Sequence, residues 1–90
     1  MSDLPYHILK TRLTAGRLIR ALVRDGFQLD SGHGSHRQYR HADGRRVTVT
    51  FHHRSDIFSP KTLKSMVEIQ ARWIAADLVR LRLIKDRPLA

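Results

Sequence analysis

The chain has 90 residues, enough for one domain with a modest core but too few for two. It carries 17 Lys and Arg against 8 Asp and Glu, a formal net charge of +9 that predicts a polyanion or an acidic protein as its ligand. No cysteine is present, which excludes a disulfide framework and thiolate chemistry. We see neither an apolar run of membrane-spanning length nor a signal peptide, and therefore expect a cytoplasmic protein.

An irregular lead-in is predicted for residues 1–12, where Pro5 comes early and no apolar period is visible. A helix is predicted after it, because Thr14 is a typical N-cap, apolar residues then recur at helical spacing, and Gly26 is a typical C-terminal stop. Another face of this helix carries Arg17, Arg20 and Arg24. Those arginines fit a solvent-exposed face and equally a phosphate-binding one.

Three strands are predicted next, at about residues 27–29, 36–41 and 45–52. The glycine-rich segment 31–35 separates the first two, and Ala42-Asp43-Gly44 joins the second to the third. The third strand alternates apolar and polar residues, as expected for a strand with one buried face. The second and third strands are therefore predicted to form a hairpin.

The register of this hairpin follows from the alternation. A three-residue loop ending in a left-handed glycine pairs Tyr39 with Val47 and His36 with Thr50, which keeps the apolar face consistent. The opposite face then collects His36, Gln38, Arg40, Arg46, Thr48, Thr50 and His52. On this prediction His52 lies diagonal to His36, about 7–8 Å away between backbones.

A second helix is predicted to begin at Ser59, with Pro60 in its first turn. Apolar residues expected to face the core from here onward are Leu63, Met66, Val67, Trp73, Leu78, Leu81 and Leu83. Trp73 and Ile74 mark a bend or a continuation, and the spacing of the later leucines predicts a helical extension to about Lys85. The chain is thus predicted to be one α+β domain over residues 13–85, in the order helix, three strands, helix and extension, with a short tail at 86–90.

Residues 32–49 resemble the signature of the HicA toxins, in which a Gly-Ser-His begins the second strand and an aromatic residue and an Asp-Gly turn follow. Here the triplet is Gly34-Ser35-His36, and residues 61–66 match the family's Thr-Leu-containing helix. The resemblance covers roughly residues 13–84. One departure is Thr50, which replaces a proline in the family's Val-x-Val-Pro-x-His strand end.

The resemblance implies a fold like that of a double-stranded-RNA-binding domain, a three-stranded antiparallel sheet with helices on one side. It also implies a toxin–antitoxin system in which the toxin cleaves mRNA without a metal or cofactor, using one essential histidine. A HicB antitoxin would neutralise the toxin by covering that histidine, so that oligomers form through the antitoxin complex. The catalytic histidine falls on His36, with Gly34 and Ser35 in support, and the histidine that ends the third strand falls on His52.

The chemistry of such a site is modest, because RNA carries its own nucleophile in the 2′-hydroxyl. Histidine, with an ordinary pKa of about 6.5, can accept the 2′-OH proton or donate one to the leaving 5′-oxygen. His36 fits either role; for the complementary role His52 is the first candidate, and a bound water or a lysine the second. Residues predicted to contact the RNA backbone are Arg37, Arg40, Arg45 and Arg46 around the hairpin, and Lys61 and Lys64 on the second helix.

Other interpretations use the same residues. His33 and His36 with His52 or His53 could gather around zinc, but alternation puts the first two on opposite faces if the strand reaches back to His33. No cysteine or well-placed carboxylate completes the set. We therefore expect no metal. The chain could also be a non-catalytic RNA-binding module, or an interaction subunit whose C-terminal helix docks a partner.

Overall fold

The computed structural model describes residues 4–84 and contains four helices and one sheet in that range. The elements are α1 Tyr6–Arg12, α2 Ala15–Arg24, β1 Gln28–His33, β2 His36–Arg40, β3 Arg46–Thr50, α3 Pro60–Lys64, which continues as a π-helical segment Ser65–Gln70, and α4 Ala75–Arg80. The sheet is antiparallel in the order β1-β2-β3. The predicted α+β class is confirmed, and the arrangement is consistent with a double-stranded-RNA-binding-domain-like fold.

The N-terminal segment differs from prediction. Residues 6–12 form α1 instead of an irregular lead-in, with Pro5 as the residue that precedes its first turn. Leu9 and Leu13 are four residues apart and therefore lie on the same side of this segment. Each is 1% exposed, and both belong to the same core as the buried residues of α2. The Tyr6 hydroxyl donates to the carboxylate of Glu68, which ties α1 to the π-helical segment. Two turns after a proline are too short to show a clear period in sequence, which explains the error.

Helix α2 begins and ends where its sequence predicts. The Thr14 hydroxyl accepts the backbone N–H of Arg17 at 3.3 Å. Gly26 has φ +104°, and the next N–H, that of Phe27, bonds to the Leu22 carbonyl at 2.9 Å. This is the helix ending that glycine favours, because a residue with a Cβ is strained in the left-handed region.

The predicted register of the second hairpin is confirmed. Tyr39 pairs with Val47 and His36 pairs with Thr50, and Gly44 has φ +100° at the end of the three-residue loop. Tyr39 and Val47 are buried while their strand neighbours on the other face are exposed. On β2 and β3 one face of the sheet is therefore buried against the core and the other is open to solvent, whereas every residue of β1 is exposed.

The strand boundaries differ from prediction by more than one residue at two places. Strand β1 extends to His33, through part of the glycine-rich segment, with a bulge between Leu29 and Ser31. Strand β3 ends at Thr50 instead of His52. Strand β3 ends early because a turn follows Thr50. In this turn the Asp56 carboxylate accepts hydrogen bonds from the backbone N–H groups of His52 and His53, which therefore do not pair with β2.

The C-terminal half starts as predicted and then departs from a continuous helix. The Ser59 hydroxyl accepts the Thr62 N–H at 3.2 Å, with Pro60 in the first turn of α3. Further along, the helical extension is interrupted at Arg72 and ends at Arg80, because Arg72 and Arg82 adopt φ 58° and 62°. A helical extension is present as α4, but it ends at Arg80 and not near Lys85, and residues 85–90 lie outside the described range.

The leucines whose helical spacing predicted this extension are buried for a different reason. The Leu83 N–H bonds to the Leu78 carbonyl at 2.8 Å, and the Arg82 N–H bonds to the Val79 carbonyl at 3.0 Å. This pattern is a Schellman ending, in which an apolar residue beyond the helix packs back on its last turn. Leu78 and Leu83 are both buried for that reason.

None of the helices in the described part of the chain has the length and apolar character that crossing a membrane requires.

Candidate active site

Three polar residues form one row across the open face of the sheet. The register places His33 opposite His36 and His36 opposite Thr50. Directly opposed residues on antiparallel strands project to the same face, so all three side chains share the exposed side. Strand alternation would put His33 and His36 on opposite faces only if one strand contained both, and here β2 begins at His36 and a turn separates the two residues.

That turn has two residues, Gly34 and Ser35. Gly34 has φ +58° at the first central position, where short hairpin turns of this kind need glycine. A Cβ at position 34 would meet no atom within 4 Å. Glycine is therefore needed there for its backbone conformation and not because space is short. The Ser35 carbonyl accepts the Phe51 N–H at 2.9 Å and ties the turn to the end of β3.

The His36 ring is held by Thr50. The Nδ1 atom of His36 lies 3.1 Å from Oγ1 of Thr50. A protonated imidazole can only donate through Nδ1, whereas a hydroxyl can accept, so an Nδ1–H donating to Oγ1 suits both protonation states. In that tautomer Nε2 is the nitrogen left to exchange a proton with a ligand. The predicted register already placed Thr50 opposite His36, but the hydrogen bond between them was not predicted.

His52 lies outside the row. Its backbone N–H donates to the carboxylate of Asp56 at 2.8 Å, in the turn that follows β3. These backbone hydrogen bonds from His52 and His53 hold the pKa of Asp56 below its ordinary value. The predicted diagonal contact with His36 required a strand that reached His52, and β3 stops two residues earlier. The ladder neighbour of His36 is instead His33.

Across residues 4–84, no three His, Cys, Asp or Glu side chains come together as metal ligands.

The open face also carries two arginines at its far end. Arg40 and Arg46 are exposed and directly opposite each other on β2 and β3. Arg40 is four residues from His36, about 13 Å along the strand. Like charges in this position destabilise a sheet, and neither arginine is in an ion pair within the described residues. The like charges of the pair are therefore not neutralised within the described part of the chain.

The remaining predicted RNA contacts lie elsewhere. Arg37 is half-buried, and its guanidinium lies over the Phe51 ring, 5.1 Å from the centroid, on the side of β2 opposite His36. Lys61 and Lys64 are exposed on α3, outside the sheet. Arg40 and Arg46 thus lie on the same face of the sheet as His36. Arg37, Lys61 and Lys64 do not.

Arg45 belongs to a structural network and not to the open face. Its guanidinium bonds to Asp25 at 3.2 Å and to the Ala71 carbonyl at 2.6 Å. Asp25, whose side chain is 8% exposed, also accepts from Trp73 Nε1 and Arg80 at 2.8 Å each. Burial by itself raises the pKa of Asp25, but the hydrogen bonds from Trp73 and Arg80 and the charges of Arg80 and Arg45 outweigh it and hold the pKa below its ordinary value.

Comparison with known proteins gives one family. A family model described as "HicA toxin of bacterial toxin-antitoxin" matches residues 15–73, more than half of the chain. The match extends from the first residue of α2 to Trp73 and includes the whole sheet. No curated protein matches the chain.

Proposed function

The chain belongs to the HicA toxin family of bacterial toxin–antitoxin systems, and we propose on this basis that it is an endoribonuclease that cleaves mRNA with His36 as its catalytic residue. The observation that carries the proposal is the setting of His36. Its ring is exposed on the open face of the sheet, and Thr50 holds Nδ1 while Nε2 can exchange a proton. An exposed histidine without such a partner would be an ordinary surface residue.

The proposed reaction uses the 2′-hydroxyl of RNA as nucleophile. A bond forms between the 2′-oxygen and phosphorus, the bond from phosphorus to the 5′-oxygen breaks, and the products are a 2′,3′-cyclic phosphate and a 5′-hydroxyl. The 2′-OH must lose a proton and the 5′-oxygen must gain one, and His36 carries out one of these transfers through Nε2. We propose that this cleavage is independent of metals and cofactors.

RNA is proposed to lie along the open face. Arg40 and Arg46 would bind its phosphates about 13 Å from His36 and so fix the backbone across the catalytic row. Lys61 and Lys64 are proposed as outer contacts, because cations near the start of a helix oppose its dipole unless an anion neutralises them. Arg37, already engaged with Phe51, is expected to contribute less.

The antitoxin is proposed to be a HicB-type protein that covers the same face in the cytoplasm. The charge of +9 favours an acidic partner, and the open face offers it the exposed residues that we propose for RNA. RNA and antitoxin would then exclude each other, and oligomers would form through the antitoxin complex. Competition binding tests this: the antitoxin should release a labelled RNA from the toxin, and simultaneous binding would refute the shared face.

The test of the proposed function is induction of the wild type, His36→Ala and His53→Ala in bacteria, with growth and mRNA integrity followed by primer extension. His53→Ala is the matched control, because His53 is an exposed histidine outside the sheet. We expect growth arrest and fragmented mRNA with the wild type and the control only, with circular dichroism showing that all three fold. If none of the proteins fragments mRNA, the chain is instead a non-catalytic RNA-binding module.

A further inference from the structure

We propose that His33 performs the proton transfer complementary to that of His36, so that the two imidazoles act as an acid–base pair on the scissile phosphodiester. The inference rests on the proposed ribonuclease function and deepens it. The family signature implies a single essential histidine at the Gly-Ser-His triplet. His33 lies just before that triplet, and the geometry of the hairpin is what brings it to the site.

The geometry is set by the two-residue turn. His33 ends β1 and His36 begins β2, and the register makes them direct cross-strand partners. Cβ atoms of such partners are about 4.5–5.5 Å apart, and both side chains leave the same face of the sheet. Both residues are exposed, so a phosphodiester can reach the two rings from solvent. Gly34 makes this turn possible through its positive φ.

Among the described residues, the two sheet rows at this end of the open face carry no titratable side chain besides these two rings. The third member of the row is Thr50, which holds Nδ1 of His36. The next row consists of Ser31, Gln38 and Thr48, which do not titrate near neutral pH. The other candidate for the second transfer, His52, lies in the turn after β3. His33 is therefore the imidazole that the fold places beside His36.

The chemistry of the pair balances. One neutral imidazole accepts the proton of the 2′-hydroxyl as the 2′-oxygen bonds to phosphorus. The other, protonated, donates its proton to the 5′-oxygen as the bond from phosphorus to that oxygen breaks. The net change is the transfer of one proton charge from one ring to the other, and exchange with water restores both. Two groups in opposite protonation states give a bell-shaped pH dependence of cleavage.

The test uses purified full-length protein and two RNA oligonucleotides that differ in one atom. One has an ordinary phosphodiester at the cleavage site, and the other has sulfur in place of the bridging 5′-oxygen. Because a thiolate leaves without being protonated, the histidine that acts as the acid becomes dispensable with the sulfur substrate. The proteins compared are the wild type, His33→Ala, His33→Gln, His36→Ala and the control His53→Ala, each checked by circular dichroism.

On ordinary RNA we expect His33→Ala, His33→Gln and His36→Ala each to lose about 10²- to 10⁴-fold in cleavage rate, while His53→Ala matches the wild type. The wild type should show a bell-shaped pH profile, and each catalytic variant should lose one limb of it. On the sulfur substrate, the variants of one histidine should recover near-wild-type rates and those of the other should stay slow. The position that recovers is the acid.

The proposal is overturned if the His33 variants cleave ordinary RNA as fast as the wild type. It is also overturned if the His33 variants cleave ordinary RNA slowly, but the sulfur substrate restores the cleavage rate of the variants at both histidines or at neither. His33 would then act in binding and not in proton transfer. In either case the proposed ribonuclease function is still supported if the wild type cleaves RNA and the His36→Ala variant does not. If the wild type cleaves neither substrate, the proposed function fails and this inference fails with it.

Discussion

Thr50 Oγ1 lies 3.1 Å from Nδ1 of His36 across the β2–β3 ladder, and this contact turns an exposed histidine into an oriented one. The two residues are direct cross-strand partners, so the sheet itself sets their distance.

Thr50→Val should lower cleavage about 10-fold with little change in KM. Valine keeps the β-branched shape suited to a strand but removes the hydroxyl, and loss of one hydrogen bond worth about 1.4 kcal/mol corresponds to that factor. Thr50→Ser, which keeps the hydroxyl, should cleave nearly as well as the wild type. Steady-state kinetics on a defined RNA measures both variants, and equal rates for the valine variant and the wild type would show that Thr50 does not position His36.

Arg40→Ala and Arg46→Ala should each weaken RNA binding and reduce the salt slope of log Kd by about one. Each should also stabilise the fold by about 0.2–1 kcal/mol, because it relieves the repulsion between directly opposed like charges. Arg12→Ala is the matched control, since it removes the same charge from an exposed position on α1, outside the sheet. Salt titrations of RNA binding and urea unfolding separate the two effects; a control that lowers the slope equally would indicate unspecific attraction to the whole basic surface.

Asp25→Asn should destabilise the protein by about 2–3 kcal/mol at neutral pH, because Arg45, Arg80 and Trp73 would lose a charged acceptor. The sign of the pH effect follows from the lowered pKa of Asp25. Its contribution is fully present above the ordinary aspartate pKa of about 3.9 and is lost as the pH falls through the lower pKa of the folded state.

Urea unfolding between pH 7 and pH 2 measures this contribution. The wild type should lose stability more steeply than Asp25→Asn below about pH 4, so that the two curves converge. Asp43 and Asp56, whose pKa values are also lowered, remain in both proteins and cancel in the comparison. Parallel curves over the whole range would mean that Asp25 is not the group responsible.

Arg82→Gly should stabilise the protein by about 1 kcal/mol, because glycine adopts φ 62° without the strain that an arginine carries there. The hydrogen bond from Arg17 to residue 82 uses the backbone carbonyl and is kept. Arg82→Ala, which removes the same charge but keeps a Cβ, is the control and should give no such gain. Thermal unfolding of the three proteins would detect the difference, and a glycine variant no more stable than the alanine variant would contradict it.

The sheet could be predicted because alternation on β3 leaves one register that buries Tyr39 and Val47 together. The cross-strand pairing of His36 with Thr50 followed from that register, although the hydrogen bond did not. The pairing of His33 with His36 could not be predicted in the same way, because it depends on Gly34 forming a two-residue turn inside a segment that was expected to be a loop.

The ends of the elements depended on interactions that the local pattern does not encode. Strand β3 stops at Thr50 because a carboxylate four residues beyond His52, that of Asp56, captures two backbone N–H groups. The C-terminal leucines follow a helical period, yet Arg82 reverses the chain between Leu81 and Leu83 with a backbone conformation that arginine seldom adopts. Only tertiary packing of Leu83 explains that choice.

The most direct test of the central claim is cleavage of a 5′-labelled RNA by the purified protein in EDTA, with His36→Ala beside the wild type. We expect the wild type to leave fragments that end in a 2′,3′-cyclic phosphate, and the folded His36→Ala variant to be slower by about 10²- to 10⁴-fold. If the variant cleaves as fast as the wild type, the chemistry lies at another residue. If the wild type binds the RNA and leaves it intact, the open face of the sheet is a binding surface and not an active site.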